Sequence, residues 1–133
     1  MLYPIFKDKE NCKMSYITKD DYLEFSGIDL ELEFKNGNYD IADPAPVFIK
    51  RVEEIAISIL KNWFDTYKFE EKINNNLEAF KRGMLWQINY ILQNSELYLN
   101  NEQTPVNNER KFISATSYNI WRNIGLCNPV TRR

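Results

Sequence analysis

Residues 75–94 read NNLEAFKRGMLWQINYILQN, and the reading of this stretch decides the fold. Leu77, Phe80, Met84, Ile88 and Ile91 recur at steps of three and four, the period that stacks side chains on one face of a helix. Leu85 and Leu92 widen the stripe. Lys81, Arg82, Gln87, Asn89 and Gln93 fall mostly outside it, as a helix with one wet side requires. Asn75 followed by Glu78 has the spacing of a capping box. Gly83 stands mid-helix, where glycine costs roughly 1 kcal/mol against alanine. The close approach of a neighbouring element is its expected compensation. The stretch reads as a core helix about 30 Å long.

Working outward, Asp43-Pro44-Ala45-Pro46 marks the start of a second long helix, because proline is tolerated in a first turn and little further in. From Val47 to Tyr67 its stripe is Phe48, Val52, Ile55, Ile59 and Trp63, flanked by Ile49, Ala56 and Leu60. Lys50, Arg51, Glu53, Glu54 and Lys61 lie mostly elsewhere. The adjacent carboxylates Glu53-Glu54 and Glu70-Glu71 point in different directions on a helix, so they read as a solvated face and not a catalytic pair. The period slips between Trp63 and Ile73, and an asparagine run follows at 74–76. This predicts two long helices joined by a short connection, hence antiparallel neighbours.

Nearer the N-terminus, Thr18 with Asp20 and Asp21 predicts a short capped helix that buries Tyr22 and Phe25 and stops at Gly27. In residues 28–42 Ile28, Leu30, Leu32 and Phe34 alternate with Asp29, Glu31 and Glu33. That is the strand period, so an irregular connection holding a short strand is expected before the Asn36-Gly37 turn. After Asn94 the pattern dies, and 95–111 reads as a long polar loop. Phe112 and Ile113 suit a brief extended segment. Ser117 can cap a last helix over 118–124, with Ile120, Trp121 and Ile124 as its apolar side, ended by Gly125 and kept from resuming by Pro129. The expected architecture is all-α: a small antiparallel helical bundle with two long helices, short flanking helices, a long polar loop and extended N- and C-terminal arms. Residues 1–14 form the first arm, whose Leu2, Tyr3, Ile5 and Phe6 favour packing. Residues 15–125 form the helical domain, and 126–133 a basic tail.

The 133 residues suffice for one domain with one core, and 44% hydrophobic content excludes a disordered chain. A net charge of −2 argues against tight duplex binding, which brings a strongly basic face. There is no histidine, which removes the commonest general base and transition-metal ligand. Cys12 and Cys127 do not make a disulfide framework and fit a reducing compartment. No apolar run approaches the 18 or so residues of a membrane span, and no signal-peptide core is present. Glycine stands only at 27, 37, 83 and 125, so there is no phosphate-cradling loop, and zinc and calcium spacings are also missing. The expectation is a non-enzyme with no cofactor and no metal. Cys127 near a helix end has no base to activate it. Lys81-Arg82 and Arg110-Lys111 read as wet or salt-bridged surface. Trp63, Trp86 and Trp121 all fit a core. Trp86 and Tyr90, one turn apart at the edge of the long helix's stripe, are candidates for a protein interface, and Phe112 is a further candidate.

In order along the chain, YITKDDYLEFSGIDL, FIKRVEEIAISIL, EAFKRGMLWQINYILQN, a long polar loop and YNIWRNIGLCNP resemble the head–tail connector (adaptor) proteins of tailed bacteriophages. The resemblance covers residues 15 to 129. It implies an all-α core without catalysis. It also implies a homo-oligomeric ring, commonly dodecameric, that sits beneath the portal, extends the DNA channel and receives the next neck or tail protein. Genomic DNA would pass without sequence-specific binding. The implied location is the virion neck, and the host cytoplasm before assembly. Carried over, residues 118–133 become the portal-binding element, with Trp121, Leu126 and Pro129 as packing anchors and Arg132 and Arg133 as charge contacts. For the ring's subunit interface the aromatic candidates already named, Trp86, Tyr90 and Phe112, are the expected residues. The chain departs from the family in its arm before residue 15 and at Cys127, where relatives often carry an aromatic or aliphatic residue. The alternative is a small helical regulator binding nucleic acid or another protein, its recognition helix being 118–124 with Asn119, Arg122 and Asn123.

Overall fold

In this computed structural model the described residues are 15–64, 67–99 and 111–127. They form helices α1 (Lys19–Ser26), α2 (Leu30–Lys35), α3 (Ala45–Phe64), α4 (Phe69–Asn75), α5 (Leu77–Gln93), α6 (Ser95–Leu99) and α7 (Ala115–Asn123), with no strand among them. The fold is a small all-α bundle. The arm at 1–14 and most of the expected tail lie outside the described residues.

Helix α5 is the hub. It buries Phe80, Met84, Ile88, Ile91 and Leu92, the expected stripe, together with Gly83 and Gln87. Its most extensive partner is α7, with α3, α4 and α6 also against it. The anticipated approach at Gly83 is real. A Cβ on this residue would lie 2.9 Å from Cδ1 and Cε2 of Trp121, inside the indole ring's own space.

Local chemistry sets the boundaries. Thr18 Oγ1 accepts from the Asp21 N–H at 3.1 Å and Asp21 Oδ2 accepts from the Thr18 N–H at 3.0 Å, the reciprocal box that starts α1. Gly27 stops it with φ +80. Asp29 caps the next segment by accepting from the Leu32 N–H at 3.3 Å, so 30–35 is helix and the expected short strand is corrected. The alternating pattern misleads because Leu30 and Phe34, four apart, turn inward, while Leu32 is left exposed.

Helix α3 starts at Ala45 as the proline signal requires. Its buried stripe is Phe48, Ile49, Val52, Glu53, Ala56, Ile59 and Leu60. Ile55 and Trp63 are only half-buried. The slip after Trp63 is the break between α3 and α4, where Lys68 takes a left-handed φ of +54. The exposed pair Lys61–Glu70, at 2.7 Å, bridges the break.

The asparagine run works differently from a capping box. Asn76, not Asn75, stands before α5 and makes no cap bond to it. Its Nδ2 donates instead to the Lys72 carbonyl at 2.9 Å, closing α4. Asn94 does the same at the end of α5, donating to the Tyr90 carbonyl at 2.9 Å. The expected polar loop begins with helix α6, whose Tyr98 packs edge-on against Phe48 with ring centroids 4.9 Å apart and whose hydroxyl donates to the Asp43 carboxylate. Lys111 and Phe112 have helical backbone, not the extended conformation expected for Phe112.

Placing alanine at Gly83 should force the Trp121 indole out of its seat. Against an intrinsic helix gain of about 1 kcal/mol, overpacking costs about 1–3 kcal/mol or more. Gly83→Ala is therefore expected to lower the unfolding free energy in a urea titration. A stability equal to or above that of the wild type would mean the seat is looser than this geometry.

Candidate docking surface

The C-terminal part of the chain is fastened to α5 by a set of buried polar bonds. Ser114, three residues before the expected cap at Ser117, starts α7: its Oγ accepts from the Ser117 N–H at 3.0 Å. Ser117 is turned inward, and its hydroxyl donates to the Gly83 carbonyl at 2.7 Å. Gln87 brackets the entry to α7 from the other side. Its Nε2 donates to the Phe112 carbonyl at 2.5 Å and its Oε1 accepts from the Ser114 N–H at 2.9 Å. Trp121 lies stacked on Phe80 at 5.8 Å, and its Nε1 donates to the Phe80 carbonyl at 3.2 Å. Beyond α7, Gly125 turns the chain with φ +90, the Leu126 N–H donates to the Trp121 carbonyl at 3.0 Å, and Leu126 and Cys127 enter the core.

Three residues expected at interfaces are therefore core residues. Trp121 and Leu126 are 0% exposed and Phe112 is 1% exposed, so none presents a side chain to a partner. For Trp121 the reason is the Gly83 gap, which lets the indole lie on the backbone of α5. Pro129, Arg132 and Arg133 lie outside the described residues. Trp86 does present surface, at 39% exposure, and packs edge-on against Phe25 at 5.2 Å. Tyr90 is half-buried, and its hydroxyl donates to the Lys111 carbonyl at 2.5 Å. The outward side of α7 carries Thr116, Asn119, Arg122 and Asn123, all exposed. The end of α3 and the start of α7 enclose a groove of ≈ 620 Å³ lined by Trp63, Phe64, Ile113, Ala115, Tyr118 and Asn119.

No protein-family description, curated protein or solved structure matches the chain. The local chemistry therefore carries the reading. Among the described residues no group of three or more His, Cys, Asp or Glu side chains could hold a metal ion. No helix there is long and apolar enough to cross a membrane. Burial pushes the Cys127 thiol up to about 12, so it stays protonated and unreactive at neutral pH.

Two buried polar residues of the long helices, like the cap Ser114, escaped the sequence reading. Gln87 was expected on the wet side but is fully buried. Glu53 was expected on a solvated face but is 3% exposed, and its two oxygens accept from the Tyr16 and Ile17 N–H groups at 3.0 and 2.8 Å. A positional signal existed for both. Gln87 lies seven after Phe80 and three after Met84, and Glu53 completes the helical series Ile49, Ala56, Leu60. Their polarity hid them.

Desolvation raises the Glu53 carboxyl to about 7 from its ordinary 4.5, against the pull of the two N–H donors and Lys50 and with the help of Glu54. The folded state thus holds this proton more tightly than the unfolded chain does. The resulting stability is complete below pH 4.5 and is lost as pH rises through 7. Relative to Glu53→Gln, in which other carboxyls cancel, the wild type should lose on the order of 2–3 kcal/mol between pH 4.5 and pH 8. Urea titrations of both proteins across that range measure the difference, and a flat difference would contradict the raised value.

Proposed function

We propose that the chain is a structural head–tail connector protein of a tailed bacteriophage. It would form a homo-oligomeric ring between the portal and the neck or tail proteins and continue the DNA channel. The observation that carries the reading is the order of its sequence pieces, from YITKDDYLEFSGIDL to YNIWRNIGLCNP, on an all-α scaffold. The way α7 is held supports it. Leu126 and Cys127 are locked in the core, so the segment 128–133 leaves from a fixed point. That fixes where a docking segment with Pro129, Arg132 and Arg133 would begin. In this reading Trp121 and Leu126 act from inside, by holding the mount, and the portal contacts fall to Pro129, Arg132 and Arg133.

A ring needs a heterologous interface, in which different patches of neighbouring copies meet. The exposed Trp86 with the half-buried Tyr90 offers one such patch. A channel wall must let DNA slide, and each phosphate contact adds affinity. A net charge of −2 suits that requirement. The outward side of α7 supports the regulator reading less well. Thr116, Asn119 and Asn123 could reach base edges, but Arg122 is the one cation among the exposed residues of that helix.

The test is to mix the purified protein with the portal ring encoded beside it, and to measure mass by light scattering and stacking by electron microscopy. A second ring stacked coaxially on the portal is expected. A chain ending at Cys127 keeps every buried residue among the described ones, so it is expected to retain the wild-type thermal midpoint and fail to join. Joining by that truncated chain would remove the docking role from 128–133. Specific retardation of a DNA fragment at ordinary salt, with no portal binding, would transfer the assignment to the regulator.

A further inference from the structure

The groove between α3 and α7 is an aromatic concavity without an assigned occupant. Trp63, Phe64 and Tyr118 remain half-buried in its wall, with Phe64 and Tyr118 ring centroids 6.0 Å apart. A concave cluster of that kind marks a binding surface. We propose that it seats residues Leu2–Phe6 of the same chain. The proposal does not depend on the connector reading.

The block pattern of the sequence supports this occupant. LYPIF at 2–6 is apolar throughout, and KDKENCK at 7–13 is charged or polar apart from Cys12. An apolar head on a wet spacer suits a segment that docks at one end only. Pro4 disfavours helix and biases Tyr3 toward extended backbone, the conformation in which proline-containing segments lie along aromatic-lined grooves.

The reach also fits. Glu53 holds the backbone at Tyr16 and Ile17 against α3. From there the Tyr16 ring is 4.9 Å from Phe80, and Phe80 is 5.8 Å from Trp121. Tyr118 stands one turn back along α7. Counting that turn as about 5.4 Å, the groove is roughly 20 Å from the anchor. The residues between Phe6 and Tyr16 span up to about 30 Å when extended. A second connection runs through α3 itself. Lys61 and Asn62 line the cleft beside Tyr16, and the next two residues, Trp63 and Phe64, line the groove.

Other occupants fit less well. A tethered segment has an effective concentration in the millimolar range, which a second copy at micromolar concentration does not match. The segment 128–133, NPVTRR, offers Pro129 and Val130 but brings two arginines. Among the described residues that line the groove there is no carboxylate to receive them.

Cross-linking within the full chain tests the seat. Cys12→Ser removes one native thiol, and the buried Cys127 does not compete. Lys7→Cys and Ala115→Cys then place one thiol beside the apolar head and one in the groove. A short bis-maleimide at low protein concentration is expected to join residues 7 and 115 within one chain, seen by denaturing gel and peptide mass. Adding Ile5→Asp and Phe6→Asp should cut the yield roughly tenfold or more, because the head would lose its apolar gain. The same two substitutions in the otherwise native chain should raise the fluorescence of an apolar dye while helix content by circular dichroism stays constant. Links formed only between chains would assign the groove to a second copy and overturn the proposal. So would a yield indifferent to the aspartates, or unchanged dye fluorescence.

Discussion

The contact on which the rest of the structure depends is the one between Gly83 and Trp121. A helix surface normally keeps a neighbour at the distance its side chains impose. The missing side chain at Gly83 lets the indole lie directly on the backbone of α5. Once the ring is there, its N–H meets the Phe80 carbonyl and its face meets the Phe80 ring. One turn earlier on α7, the Ser117 hydroxyl reaches the carbonyl of Gly83 itself. Glycine mid-helix is unfavourable in isolation, and here the cost is offset by full burial of Trp121, the largest of the fully buried side chains among the described residues.

A second constraint follows from packing irregular backbone against a core. Segments that enter helices carry N–H and C=O groups without helical partners, and these groups cannot be buried unpaired. The two long helices solve this in the same way. Glu53 of α3 takes the N–H groups of Tyr16 and Ile17 at the entry to α1. Gln87 of α5 takes the carbonyl of Phe112 and the N–H of Ser114 at the entry to α7. The glutamine carries no charge, so its burial is cheap once both ends are bonded. The glutamate carries a desolvation cost, which is why its proton affinity rises.

These two brackets fix the points from which the remaining chain departs. At the N-terminal end Glu53 holds Tyr16 and Ile17, and at the C-terminal end Leu126 and Cys127 are buried. The proposed connector role uses one mount for a portal contact. The aromatic groove provides a seat that the other extension can reach.

The all-α class, both long helices, the Thr18 cap and the stop at Gly27 were legible in the sequence, because helical period and capping are local properties carried by residues three or four apart. The need for a close neighbour at Gly83 was legible too, although not which neighbour. Other features followed from contacts between residues far apart in the chain. Residues 30–35 form a helix although their alternation reads as strand, because six residues are too few to separate the two periods and the core accepts Leu30 and Phe34. Trp121, Leu126 and Phe112 read equally well as interface or interior, since an apolar side chain is the same object in both places. Only the seat on α5 made them interior. Glu53 and Gln87 occupied core positions in the helical period, yet their polarity placed them outside until the backbone groups they satisfy, 25 to 37 residues away, came into view. The sequence by itself determined where helices begin, end and turn an apolar face. The tertiary structure alone decided which polar groups that face could bury, because a buried polar group is tolerated only when a partner from elsewhere in the chain meets it.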